Sequence, residues 1–235
     1  MKNDLFAKVN NILVKRDGIT QYEESDLLCE YSIDVYAFEE LLFKLTNCSC
    51  EHLRELIAGH LVTEGYLTDY LSSSLEIIVS ADIKKADIIC ETGIDVIRKS
   101  SELMPVIPID YKEEWIFNLA DCFAEGTYLH DLTNSSHSCF LAKEKEILFS
   151  CEDIGRHNAF DKAVGYALLN NIDLTKCMIY TSGRVPRDMV RKAINAGIPI
   201  LCSKAAATKD AVILAKKYAL TLICSARKDS YKIYE

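Results

Sequence analysis

The chain has 235 residues, 49% of them hydrophobic and 26% charged, which suits one large domain or two small ones around a well-buried core. A formal net charge of -8 argues against a non-specific nucleic-acid binder, and the apolar runs fall short of the ~20 residues that a membrane-spanning helix needs. Residues 1–6 carry no apolar signal-peptide core, so the expected compartment is the cytoplasm, where the ten cysteines read as thiols rather than disulfides.

Residues 27–38 and 41–45 read as paired strands. Residues 51–63 have helical spacing, with Leu53, Leu56, Ile57, His60 and Leu61 on one face and Ser49 as the expected N-cap. Further strands are expected at 75–79 and 86–90, then a connection over 99–108 punctuated by Pro105 and Pro108. A helix that turns Trp115, Ile116, Leu119 and Phe123 inward follows, and then a hairpin of 137–142 with 146–151. From residue 155 helices and strands alternate. The helices are expected at 159–169, around Met189 to Ile194, and at 209–219; the strands at 178–181, 198–202 and 220–224. That rhythm predicts a largely parallel sheet with right-handed crossovers. Ligands on such sheets bind at the carboxyl ends of the strands. The rule points to Ser182-Gly183-Arg184, Ser203-Lys204 and Ser225-Ala226-Arg227.

The densest polar segment runs Glu152-Asp153-Ile154-Gly155-Arg156-His157-Asn158-Ala159-Phe160-Asp161-Lys162, between a strand and a helix. Asn158 can cap that helix, and Arg156 and His157 can sit at its N-terminus, where anions are favoured. A solvated loop with a cap fits the same composition. Cys90 ends an apolar run and has Lys84, Lys85, Arg98 and Lys99 nearby in sequence. Those cations favour a thiolate, and a buried structural thiol is the competing reading. His137, Cys139 and Cys151 across the expected hairpin, and Cys48 with Cys50, are weak metal-ligand spacings. No C-x-x-C, Walker A, G-x-G-x-x-G or G-x-S-x-G motif occurs.

Taken together, these segments resemble the formate dehydrogenase accessory protein family of sulfur carriers. The 152–162 stretch, extended by Gly165, is similar to the family's E-D-x-G-R-H-N-A-x-D-K, and His137 stands at the spacing of a preceding family His. Ser182-Gly183-Arg184, Lys192 and Ala196-Gly197-Ile198-Pro199 resemble S-G-R…K…A-G-I-P, and Arg227 fits the C-terminal pattern. The resemblance implies an α/β protein. Its residues 91–235 would form a cytidine-deaminase-like three-layer domain, behind a smaller α+β domain at 1–90. It also implies a homodimer that binds the bis-molybdopterin guanine dinucleotide form of the molybdenum cofactor, with a guanine nucleotide as a possible mimic. Arg156, His157, Asn158, Ser182, Gly183, Arg184 and the segment Ser225, Ala226, Arg227, Lys228, Asp229 and Ser230 would hold that ligand. Cys90 would carry persulfide sulfur from a cysteine desulfurase to the cofactor for formate dehydrogenase. No membrane or nucleic-acid partner is expected. The family's C-G-x-C-G reads Cys90-Glu91-Thr92-Gly93-Ile94 here, so Gly93 replaces the second cysteine, and Cys224-Ser225 stands where the family has Phe. The alternative is therefore a cofactor-binding chaperone that has lost sulfur transfer.

Overall fold

A computed structural model describes residues 5–67, 75–90 and 102–234. The chain opens with a ribbon of β1 (Phe6–Arg16) and β2 (Ile19–Leu28), paired antiparallel from Arg16↔Ile19 to Phe6↔Leu28. Its turn is Asp17-Gly18, with φ of 51° and 79°, as a two-residue hairpin turn with both central residues left-handed requires. This hairpin lies where no element was expected. Next come β3 (Tyr31–Ala37), β4 (Glu40–Cys48), α1 (Leu53–Thr63), β5 (Leu75–Val79) and β6 (Lys85–Cys90). The four strands make one sheet in the order β4-β3-β6-β5, and β3 turns the alternate residues Ile33, Val35 and Ala37 to its buried face. Ser49 does not cap α1. His52, in a left-handed conformation, holds the cap position without a side-chain bond, and Ser49 binds Asp153 instead.

The second half runs α2 (Glu113–Ala124), α3 (Tyr128–Thr133), β7 (His137–Lys143), β8 (Glu146–Asp153), α4 (Arg156–Leu169), β9 (Met178–Thr181), α5 (Arg187–Asn195), β10 (Ile200–Ser203), α6 (Lys209–Lys217), β11 (Thr221–Cys224) and β12 (Lys232–Tyr234). Six strands form one sheet in the order β12-β11-β10-β9-β7-β8. The expectation of a largely parallel sheet needs correction. β9, β10 and β11 are parallel, but β7, β8 and β12 join antiparallel. The β7–β8 hairpin and the short return of β12 need no crossover helix, so they close both flanks of the parallel centre.

Both faces of this sheet are covered. Phe140, Met178, Tyr180, Ile200, Cys202 and Ile223 pack against Ile116, Leu119 and Phe123 of α2. The alternate residues Leu141, Ile179, Leu201 and Leu222 face the larger core built with α4, α5 and α6. This period-two division is that of a sheet buried between two helical layers. The larger core continues through α1 to the four-stranded sheet, so one buried cluster spans Ile33 to Cys224 across the expected 90/91 boundary.

α1 and α4 touch backbone to backbone. A Cβ on Gly59 would lie 1.7 Å from the carbonyl oxygen of Asp161, and one on Gly165 would lie 1.8 Å from that of Glu55. Buried ions reinforce this contact. Lys162, fully buried, lies 2.6 Å from Asp153 and donates to Ser49 Oγ at 2.7 Å. Lys192 lies 2.8 Å from Asp161 and 3.1 Å from Glu64, while Thr63 donates to Asp161 at 2.7 Å.

Candidate anion-binding site

The loops that leave the carboxyl ends of β9 and β10 run side by side. Val185 N donates to Ala206 O, Thr208 N donates to Val185 O, and Val185 bridges Ala207 in parallel. Ser203 Oγ, buried, donates to Gly183 O at 2.7 Å and accepts from Ala205 N at 2.9 Å. After β11, Ser225 N donates to Ala205 O and Ala226 N to Ser203 O, with Ser225 in a left-handed conformation at φ 54°. The Tyr180 hydroxyl donates to Ala226 O at 2.9 Å. The three strand ends are thus tied into one rim, where the strand-end rule puts ligands.

That rim and α3 enclose a cavity of about 670 Å³, lined among others by His130, Ser136, His137, Ser182, Lys204 and Arg227. Glu152, at the end of β8, fastens the α3 wall. Its carboxylate accepts from Leu129 N at 2.7 Å, His130 N at 2.9 Å, Thr127 Oγ1 at 2.8 Å and Ser136 Oγ at 2.9 Å. The sequence placed Glu152 in a motif without giving it this task, and the α3 that it anchors was not expected.

The nominated residues divide. Ser182 lines the cavity and accepts from Ser138 N at 3.1 Å, and His137 Nδ1 lies 3.1 Å from the same oxygen. Gly183 sits against Arg156: an added Cβ would meet Arg156 Cβ and Cδ at 2.9 Å. Arg156 Nε is buried without a hydrogen-bond partner among the described residues. Burial and the Arg156 charge hold the His137 imidazole below its ordinary pKa, with His130 and His157 adding to the effect. Burial also lowers that of His157, against the pull of the Asp188 carboxylate 2.8 Å from its Nε2. Arg227 lines the cavity and donates from Nη1 to the carbonyls of Lys204 and Ala226. Arg184 is exposed. Lys228, Asp229 and Ser230 form an exposed turn in which Arg227 N donates to Ser230 O at 2.7 Å.

Asn158 does not cap the helix. α4 starts three residues earlier than expected, Gly155 takes the cap position, and the buried Asn158 amide donates to Thr46 O, Asn47 O and Asp153 Oδ1. It joins the two halves of the molecule.

Cys90 closes β6, its backbone paired with Leu75. Its side chain and residues 91–94, including Gly93, lie outside the described residues. Cys139 faces Cys151 across the β7–β8 hairpin, both buried, and the Cys151 thiol donates to Ala159 O. Burial pushes the thiols of Cys48, Cys151 and Cys224 up to about 12 and that of Cys177 to about 11, far from the reactive thiolate form. A larger cleft of about 1150 Å³ between α5 and α6, with Arg187, Arg191 and Lys217, contains none of the nominated residues. No described helix is long and apolar enough to cross a membrane.

A model of the FdhD/NarQ family matches residues 28–235. A Bacillus pumilus protein named sulfur carrier protein FdhD is 26% identical over 96% of this chain and 97% of its own length. Protein FdhD of Methanocaldococcus jannaschii is 47% identical over 44% of this chain, an alignment that spans 46% of the relative. The fold matches a crystal structure of a provisionally assigned formate dehydrogenase accessory protein from Desulfotalea psychrophila, with a TM-score of 0.86, 23% identity and coverage of 99% and 97% of the two chains.

Proposed function

Because this chain belongs to the FdhD/NarQ family, we propose that it is a sulfur carrier that holds a guanine-dinucleotide molybdenum cofactor in the strand-end cavity and supplies it with sulfur through Cys90. The observation that carries the reading is the cavity itself. Hydroxyl, imidazole and cationic groups converge at the carboxyl ends of three parallel strands, beside an arginine whose buried Nε has no described protein partner. Such donors suit phosphate oxygens, and Arg156 reaches the rim through its packing on Gly183. Relatives that carry the name sulfur carrier support the chemistry. The cytidine-deaminase-like description, the homodimer, and the cysteine desulfurase and formate dehydrogenase partners belong to the same reading.

In it, the Cys90 thiolate attacks the outer sulfur of the donor's persulfide. The donor S–S bond breaks, a new S–S bond forms at Cys90, and the donor leaves as a thiolate, with no net oxidation. The molybdenum cofactor is cargo. Arg156, Ser182, His137 and Arg227 would orient its nucleotide end.

Incubation with a cysteine desulfurase and cysteine, followed by intact-mass and peptide analysis, should add one sulfur atom to Cys90 and none in Cys90→Ser, which should still bind GDP. GDP binding without sulfur on Cys90 would favour the second reading, a cofactor chaperone that has lost transfer. The observation behind that reading is Gly93 at the position of the family's second cysteine.

A further inference from the structure

Three imidazoles stand in or beside the cavity, and their partners differ. His130 Nδ1 lies 3.1 Å from the Ser136 carbonyl, and His157 Nε2 lies 2.8 Å from the Asp188 carboxylate. Both partners accept only, so those nitrogens carry a proton whatever the charge on the ring. His137 Nδ1 instead faces the Ser182 hydroxyl at 3.1 Å, a group able to donate or accept. The Ser138 amide already donates to that oxygen. With His137 neutral and protonated at Nε2, the Ser182 proton points to Nδ1. With His137 protonated at both nitrogens, Nδ1–H donates to Ser182, whose two lone pairs are then taken by Ser138 N–H and His137. The hydroxyl proton is left free to point into the cavity that Ser182 lines.

We propose that His137 and Ser182 form a proton-coupled anion-binding pair: a phosphate-class oxyanion enters the cavity together with one proton, which His137 takes up, and receives the freed Ser182 hydroxyl as a donor. This rests on the nucleotide reading of the same cavity and adds its pH linkage. The groups that act on His137 come from each neighbouring element. Arg156 and His157 of α4 and His130 of α3 oppose its charge, while Asp153, its register partner on β8, favours it. Lys204 and Arg227 line the same cavity. Ligand-free, burial and Arg156 disfavour the charged ring, and an incoming phosphate offsets that repulsion. The ligand therefore raises the His137 pKa. The added affinity is complete below the ligand-free pKa and disappears as pH rises through the ligand-bound one.

The test uses the full chain and GDP. Titration calorimetry near pH 6.5, in two buffers of different ionisation enthalpy, should show more proton uptake by wild type than by His137→Gln. GDP itself titrates in this range, and that contribution is common to both proteins. From pH 8 to pH 6 affinity should improve several-fold beyond the improvement in His137→Gln, climbing toward the roughly tenfold of a one-unit pKa rise as pH falls below the ligand-free pKa. The His137 ring resonance in wild-type protein, followed by NMR against pH, should shift its midpoint upward by about one unit when GDP is added. This measurement needs no variant to fold. GDP binding with an unmoved His137 midpoint and equal uptake in the variant would overturn the pair and leave the nucleotide site standing. No GDP binding by wild type at any pH would overturn both.

Discussion

Glu152 is a carboxylate with its acceptor capacity spent on holding a wall in place. Two backbone amides and three hydroxyls converge on it from Thr127, Leu129, His130, Ser136 and Ser138. Hydrogen bonds to a charged group contribute roughly 1.5–3 kcal/mol each, and these share one acceptor. Glu152→Ala should therefore lower unfolding stability by about 3 kcal/mol and weaken GDP binding through displacement of α3. Chemical denaturation and a GDP titration on the same variant would check both effects. Lys162 poses the sharper case, because it is fully buried against Asp153. Lys162→Met leaves that carboxylate buried without its counter-charge, a loss of about 3–5 kcal/mol that urea denaturation would register. The sequence displayed these residues as one polar run, and a run cannot show direction. Their geometry splits it. Arg156 serves the rim and Glu152 the cavity wall, whereas Asp153, Asn158, Asp161 and Lys162 turn into the joint with α1 and the strand that precedes it. Polar residues in a presumed loop suggest solvent or ligand. Here half of them satisfy one another in the interior, through partners more than ninety positions away in sequence.

At the scale of elements, the α1–α4 contact is set by two glycines that sequence periodicity passes over. Gly59 was visible inside an apolar helix, where a glycine costs about 1 kcal/mol relative to alanine and calls for a packing reason. The reason is the approach of Asp161 O to the site of its missing Cβ. Gly59→Ala must push two helix backbones apart and disturb the Asp161–Lys192–Thr63 cluster that crosses between them. The helix-propensity gain does not compensate for that, and the net loss should be about 3 kcal/mol, with Gly165→Ala alike and the double variant less than additive because the two share one contact. Thermal denaturation of the three proteins decides it. Elsewhere the strand and helix expectations hold closely, as with the 178–181 strand and the 137–151 hairpin, whose inner strands are short continuous apolar runs of the kind a sheet covered on both faces requires. Two kinds of element escaped. α3 is six residues long and fixed by Glu152 rather than by periodicity, and β12 is three residues paired with β11. The β1–β2 ribbon had a legible signal in Asp17-Gly18, but its strands carry polar residues on both faces and lack a clean alternation.

On the scale of the whole molecule, stability is distributed unevenly, and acid should reveal it. Burial raises the cost of ionising Asp161, and the Lys192 and His60 charges more than offset that cost, so its pKa falls below the ordinary carboxylate value. Glu64, beside the same lysine, is lowered as well. A depressed folded-state pKa contributes stability that is present above the unfolded value of about 4 and lost as pH falls through the folded value. The body built on α1, α4 and α5 should therefore lose stability steeply below about pH 4, and Asp161→Asn should be weaker at pH 6 and flatter in acid. The β1–β2 ribbon should not share in this. None of residues 5–28 belongs to the buried hydrophobic core, and Val9, Leu13, Ile19, Tyr22 and Leu27 are exposed. The family match begins only at residue 28. A two-stranded ribbon without a covered face has little to hold it beyond its ladder and contacts such as Phe6 against Tyr128. Native-state hydrogen exchange should find the ribbon amides opening far below the global unfolding energy, with β9, β10 and β11 opening only near it. A chain that starts at residue 29 should keep its cooperative thermal transition within a few degrees of the full-length protein. A large fall in that transition would mean that the ribbon is part of the cooperative unit despite its exposure, and that the wall formed by α3, which it touches through Tyr128, depends on it.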